Sequence, residues 1–190
     1  MDAVLLQRLA QITEEERELL QGRGVDRALY ASGRAFEVDA AKMLEKGKLM
    51  SIRPHTRFAP FPRHSHNYVE IMYMCRGKTV HRMDGDALVT LEAGELLFLT
   101  RPASHAIQRA DAGDIAVNFI VLPQFFDEAF NMAGMDNVLS RFLLGELYTG
   151  GAAVSYLHFR VREVLPVQNL VENMVWTLVN RQPGARRINQ

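Results

Sequence analysis

Apolar residues recur along this chain at two different spacings, and the change of spacing divides it. Leu5, Leu9 and Ile12 fall at helical intervals, which place them on one face of a helix. Thr13 followed by Glu16 reads as a capping box opening a second short helix, with Gly22 and Gly24 closing it. Asp39 caps a further short helix or turn that Gly47 ends. From Leu49 to Val121 the texture changes. Runs rich in Ile, Val, Phe, Met and Tyr are separated by Arg76-Gly77, Asp84-Gly85, Ala93-Gly94, Arg101-Pro102 and Ala112-Gly113. Asp84-Gly85 is a hairpin signal, because glycine accepts the positive φ that such turns need. Short strands at intervals of roughly ten residues predict an antiparallel sandwich or barrel.

After Pro123 the helical spacing returns. Phe125, Phe126, Ala129 and Phe130 form one apolar stripe, and Val138, Phe142, Leu143 and Leu147 form another that Gly150-Gly151 ends. Residues 154–161 read as extended. Gln168 to Asn180 reads as a helix with Leu170, Met174, Leu178, Val171 and Val175 inward, broken at Gln182-Pro183-Gly184. The pattern divides the chain into an N-terminal helical segment (1–47), a β-barrel (48–122) and a helical or linker region (123–190).

With 190 residues, 48% of them hydrophobic, the chain can bury a real core. Its formal net charge is zero, which leaves no overall electrostatic footprint for nucleic acid. The one basic concentration is the tail from Arg181 to Arg187. A single cysteine, Cys75, excludes an internal disulfide and fits a reducing compartment. It sits in an apolar strand, where packing is its expected role. Arg8 and Glu14-Glu15-Glu16-Arg17 interrupt any signal-peptide core, and no run approaches the ~18 apolar residues of a membrane span. The expected location is the cytoplasm, with no membrane partner.

The chemistry concentrates in two short motifs. One is His64-Ser65-His66 with Glu70 and then Gly77; the other is Gly94-Glu95, an apolar run, and Arg101-Pro102 leading to His105. Three imidazoles and one carboxylate suit a borderline divalent ion such as Zn, Mn, Fe or Ni. Strand side chains alternate faces, so Glu70, Met72 and Met74 share one face with the histidines, while Val69, Ile71, Tyr73 and Cys75 share the other. Both faces are apolar apart from the donors, so helices or a partner subunit should cover the outer one. A straight strand would hold His66 and Glu70 about 13 Å apart, so the chain must bend between them, and Asn67 is the turn-prone place. His64 and His66 could instead be exposed strand-edge residues, and His105 could cap a turn after Pro102. Met72 and Met74 are either pocket lining or core filler. His81 is pocket or surface, depending on register. Arg53 and His55 stand near the barrel entry, Arg53 as a solvated strand-end charge. No nucleophile elbow, phosphate loop, CxxC or HExxH pattern occurs.

At these residues the chain resembles a cupin, and more specifically the N-terminal sensor domain of AraC/XylS-type bacterial transcription regulators. The stretch from Phe61 to Phe130, which holds HSHNYVEIMYMCRG and GELLFLTRPASH, carries the resemblance, and the flanking helices, including the segment from Val164, resemble the linker of such regulators, so that the resemblance covers nearly the whole chain. The resemblance implies a mainly β fold, a double-stranded β-helix (cupin, or jelly-roll) barrel with α-helices at both ends. It implies a small-molecule effector of sugar size inside the barrel, contacting His64, His66, Glu70, Met72, Met74, His81 and His105. It further implies a homodimer, and DNA contact only through a downstream helix-turn-helix domain that residues 1–190 do not show. No residue is catalytic on this reading. Arg109 stands where many metal cupins carry Asn. The alternative is a metal-dependent cupin enzyme, an isomerase or dioxygenase, with His64, His66, Glu70 and His105 on the ion and Tyr68 or His81 as base.

Overall fold

The computed structural model describes residues 1–101, 103–127, 137–144, 148–149 and 152–180. Helices α1 (Ala3–Leu9) and α2 (Glu14–Leu20) open the chain. The Thr13–Glu16 capping box forms, each side chain accepting from the other residue's backbone N–H. Strand β1 (Glu37–Val38) and helix α3 (Ala40–Met43) follow, with the Asp39 carboxylate accepting from Ala41 N–H. The strands then run β2 (Met50–Pro54), β3 (Phe61–His66), β4 (Val69–Arg76), β5 (Lys78–Arg82), β6 (Leu88–Glu92), β7 (Leu96–Leu99), β8 (His105–Ile107) and β9 (Ile115–Val121). Helix α4 (Val138–Leu143), a small hairpin of β10 (Tyr148–Thr149) and β11 (Ala152–Ala153), strand β12 (Tyr156–Phe159) and helix α5 (Leu165–Val179) complete the described elements.

The strands form two five-stranded sheets, ordered β1-β3-β8-β5-β6 and β12-β7-β4-β9-β2. From β2 to β9 the chain passes back and forth between them, so consecutive strands lie mostly in opposite sheets. That path is the double-stranded β-helix of a jelly roll. The β5–β6 hairpin turns at Asp84–Asp86, where Gly85 takes φ +72°, as the Asp-Gly pair foretold. Strands β1 and β12 come from outside the 48–122 stretch and join sheets that β3 and β7 would otherwise edge. Joining them pairs backbone groups that an open edge would leave free.

Alternation along β4 gives each face its own core. Met72 and Met74 pack between the sheets with Leu97, Leu99, Ala116 and Ile120. Val69 and Tyr73 point outward, where Leu5 and Leu9 of α1 and Val175 of α5 cover them. Each such aliphatic burial contributes about 1.5–3 kcal/mol. The chain's own helices thus cover the apolar outer face that pointed to a helix or a partner. Burying the Tyr73 hydroxyl requires a partner, and it donates to Gln168 Oε1 at 2.8 Å.

Several expectations need correction. Helix α5 starts before Gln168 because Pro166 suits its first turn. Leu170 is 67% exposed; the stripe laid on the sheet is Val167, Val171, Met174, Val175 and Leu178, and Leu170 lies roughly a quarter-turn away from it. Ile12 falls after α1 and is exposed, and so is Val138, leaving Phe142 as the anchor of α4. Pro102, Ala129, Phe130, Leu147, Gly150-Gly151 and the tail from Arg181 lie outside the described residues. No helix among the described residues is long and apolar enough to cross a membrane.

Candidate metal and ligand site

Strand β3 carries His64 and His66, β4 carries Glu70 and β8 carries His105. His64 and His105 face each other directly in the β3–β8 ladder. The chain bends at Asn67–Tyr68 as it leaves one sheet for the other. Asn67 holds the bend: its Oδ1 accepts from Ala40 N–H at 2.8 Å and its amide donates to Asp39 at 3.0 Å. Asp84, at the tip of the β5–β6 hairpin, accepts from Ser104 N–H at 2.9 Å and from the Arg63 guanidinium at 3.2 Å. The hairpin tip thereby pins the neighbours of His105 and His64.

The ligand atoms of His64, His66 and His105 lie within 4.8 Å of one another. His105 Nε2 is 3.1 Å from His64 Nε2 and 3.6 Å from Glu70 Oε2, which is 3.4 Å from His66 Nε2. Donor atoms sharing one ion at ~2.1 Å stand roughly 3–3.5 Å apart; the spacings of 3.1, 3.4 and 3.6 Å fit a common cation, and the three histidines, spread within 4.8 Å, would draw in slightly to share it. All four residues are at most 5% exposed. Burial pushes His64 down to about 4, partly offset by the Pro62 carbonyl. Burial, then the neighbouring imidazoles, hold His66 and His105 well below the usual histidine value. Glu70 moves the other way, up to about 7 by burial, with the Asn118 amide pulling it back. Near neutral pH the site therefore offers three uncharged imidazoles and a carboxyl poised to ionise.

Both ring nitrogens of His66 and Oε2 of Glu70 are buried without a hydrogen-bond partner. An unsatisfied buried polar atom costs about 1–3 kcal/mol, and a divalent ion among these donors would satisfy His66 Nε2 and Glu70 Oε2, which lie 3.4 Å apart. The residues present therefore fit a metal.

Beside the donors lies a cavity of about 40 Å³, lined by His64, His66 and Glu70 together with Arg53, His55, Tyr68 and Asn118. Tyr30, Val38 and Met43 of the N-terminal segment form a partial roof over it. That volume holds a few waters; a sugar needs the roof to move. His105, His81, Met72 and Met74 do not line it. The two methionines are fully buried in the packing between the sheets, so filler is their structural role. His81 is fully buried behind His105. Arg53 is not a free strand-end charge: its guanidinium lies over the Tyr30 ring, 5.1 Å from the centroid, and 3.9 Å from Glu15. His55 is buried and uncharged, pushed down to about 4 chiefly by burial. Burial raises the Tyr68 hydroxyl, which makes it a poor base. Arg109 turns to Asp111 at the surface.

Sequence reasoning missed Asn118, whose amide donates to Glu70 Oε1 at 2.9 Å. The signal was present, since Asn118 is the one polar side chain in the run Ile115–Val121. It also missed Thr79, 2.9 Å from His81 Nε2, and the roof residue Tyr30.

The family described as the AraC-like ligand binding domain matches residues 51–130. No curated protein sequence matches the chain. Among solved structures, apo ToxT from Vibrio cholerae is 13% identical, over 70% of this chain and 48% of its own, with a TM-score of 0.49. A cupin protein from Bacteroides fragilis is 26% identical, over 38% of this chain and 64% of its own, with a TM-score of 0.32. Oxalate decarboxylase from Bacillus subtilis is 16% identical, over 40% of this chain and 22% of its own, with a TM-score of 0.34. The chain spans about half the length of ToxT.

Proposed function

We propose, from the match of residues 51–130 to the AraC-like ligand binding domain family, that the chain is the sensing part of an AraC-type bacterial transcription regulator. A small effector enters the barrel, and a downstream helix-turn-helix domain reads the DNA. The observation that carries the sensing role is the small cavity beside the buried donor set, partly roofed by residues of the N-terminal segment. An effector larger than a few waters must widen that cavity, and Tyr30, Val38 and Met43 are the lining residues it meets on the N-terminal segment. Binding then favours a second arrangement of that segment, which is the differential affinity that coupling requires.

His64, His66, Glu70 and His105 would hold the ion, one of Zn, Mn, Fe or Ni. Bound there, it supplies a Lewis acid for an oxygen of the effector. The chain's own residues do the rest. The three imidazoles present neutral lone pairs, Glu70 gives up its proton, and the Asn118 amide fixes which carboxylate oxygen faces the histidines. The unpartnered His66 and Glu70 atoms also favour a second reading, the metal-dependent cupin enzyme. In that reading the same donors hold a catalytic ion.

The test starts from protein stripped with a chelator, reloaded with each metal in turn and assayed for bound metal. The loaded protein is then screened against sugars and small acids by thermal shift and limited proteolysis. The sensor reading expects a compound that raises the melting temperature, alters cleavage within residues 1–47 and is recovered unchanged. A compound that is turned over by the loaded protein, with cleavage unaltered, overturns it in favour of the enzyme.

A further inference from the structure

Behind His105 runs a row of polar groups that holding an ion does not by itself explain. His105 Nδ1 is 3.2 Å from His81 Nδ1, and His81 Nε2 is 2.9 Å from Thr79 Oγ1. The two imidazole planes are 8° apart with centroids 5.4 Å apart, so the rings meet edge to edge rather than face to face. His81 and His105 are fully buried and Thr79 nearly so. On the other side, His105 Nε2 meets His64 Nε2 at 3.1 Å, and His64 Nδ1 is 2.8 Å from the Pro62 carbonyl.

A carbonyl can only accept, so His64 carries its proton on Nδ1 and turns the Nε2 lone pair inward. That leaves His105 two arrangements. In the first, His105 Nε2–H donates to His64. Its Nδ1 then accepts from His81 Nδ1–H, and His81 Nε2 accepts from the Thr79 hydroxyl. In the second, every donor along the row reverses. His105 Nδ1–H donates to His81, His81 Nε2–H donates to Thr79, and the Thr79 hydroxyl turns to the sulfur of Met72 or Met74, at 3.8 and 3.9 Å. Two Nε2 lone pairs then face each other across 3.1 Å, an arrangement that a cation between them stabilises. Each group stays neutral in both arrangements, and the number of protons along the row is unchanged.

We infer that Thr79 and His81 are positioning residues, forming a reversible hydrogen-bond row that sets which nitrogen of His105 faces the site. Without metal the row points His105 Nε2–H at His64; with metal it reverses and frees Nε2 as a ligand. The reversal rests on the metal reading above, whereas the metal-free arrangement can be tested without it. Outer partners that fix the tautomer of a ligating histidine typically change metal affinity 10–100-fold when removed. Thr79→Val leaves His81 Nε2–H without an acceptor in the metal-bound arrangement and should weaken metal binding about 10-fold or more. Thr79→Ser keeps a hydroxyl there and should restore it.

The experiment uses the full chain labelled with ¹⁵N-histidine. Ring nitrogen shifts are read in chelator and with zinc, beside zinc titrations of wild type, Thr79→Val and Thr79→Ser. The expected result is Nδ1–H on His81 and Nε2–H on His105 without metal, both switching with zinc. Zinc uptake with His81 keeping one tautomer throughout overturns the reversal and leaves the metal site standing. Thr79→Val binding zinc as tightly as wild type overturns the positioning role. A folded wild type that takes up no zinc overturns both the reversal and the metal reading. If Thr79→Val does not fold, the wild-type shifts decide alone.

Discussion

Acidification should unfold the metal-free protein steeply, because five imidazoles are buried uncharged. Burial pushes His55 and His64 down to about 4 and His81 to about 3, and holds His66 and His105 well below their ordinary value. In the unfolded chain each returns to about 6.5. Below that pH the unfolded chain binds protons that the folded one refuses, so stability is greatest above pH 6.5 and is lost as pH falls toward the folded values. Glu70 opposes this. Its folded value is raised to about 7, so the folded state binds a proton between the ordinary carboxyl value and 7 and gains stability as pH falls through that window.

Near pH 5.5 the unfolded state therefore holds about four more protons than the folded state, five imidazoles set against one carboxyl. At 1.36 kcal/mol per proton per pH unit, the slope is about 5 kcal/mol per unit, and the loss from pH 8 to pH 5 integrates to about 8 kcal/mol. Domains of this size hold only about 5–15 kcal/mol in all, so the midpoint of acid unfolding should fall near pH 5. Urea unfolding followed by circular dichroism, in chelator at pH 8, 7, 6 and 5, measures the slope directly. A stability that changes by less than one proton's worth per pH unit between 6.5 and 5 would refute the reasoning. It would mean that these imidazoles are solvated in the folded protein and the donor set is not enclosed.

Metal uptake should ionise Glu70, so binding at pH 6 releases about one proton and binding at pH 8.5 releases almost none; titration calorimetry in buffers of different ionisation heat counts it, and Glu70→Gln should abolish the release. The Arg57 guanidinium donates to Glu16 from Nε at 2.7 Å and Nη2 at 2.9 Å, and also to the Ala10 carbonyl. Arg57→Met leaves a buried carboxylate without its counter-ion, held only by backbone N–H groups, and should cost about 3–5 kcal/mol in urea unfolding, whereas an unchanged midpoint would show that the N-terminal helices are not anchored there. Gly77 has φ +79°, and a Cβ on it would lie 2.3 Å from Asp114 Oδ1, so Gly77→Ala should cost about 3 kcal/mol or more, against about 1 for Gly85→Ala, whose surroundings are open. Leu170→Gln should change stability by less than about 0.5 kcal/mol, while Met72→Ala should cost about 2–5.

What could be read from the sequence was what depends on neighbouring residues. The Thr13–Glu16 box, the Asp84-Gly85 turn and the alternating faces of β4 are fixed by geometry within a few positions. The need for a bend between His66 and Glu70 is likewise a distance argument along one strand. What could not be read depends on distant pairing. His81 lies behind His105 because β5 pairs with β8, with His81 opposite Ile107, and no local pattern sets that register. Leu170 keeps helical spacing with Met174, yet the face of α5 that the sheet takes up is the valine-rich one. Strands as short as β1 and β12 carry no period of their own, and the roof over the cavity is set by where the N-terminal segment crosses the barrel.

One trace of the site was nevertheless local. Glu70 and Asn118 are polar side chains set into strands that otherwise bury apolar ones, and Thr79 and His81 are the two buried positions of β5. Burying such a group without a partner costs more than the packing of one strand position returns. Each therefore implies a second polar group within reach before any register is known. The pairs Glu70–Asn118 and Thr79–His81–His105 are those partners. Among the described residues, both ring nitrogens of His66, Glu70 Oε2 and Asn118 Oδ1 are the buried side-chain atoms left without one, and His66 Nε2 and Glu70 Oε2 lie where the three histidines converge. Satisfied groups mark the scaffold of this site, and unsatisfied ones mark where a ligand from outside the chain completes it.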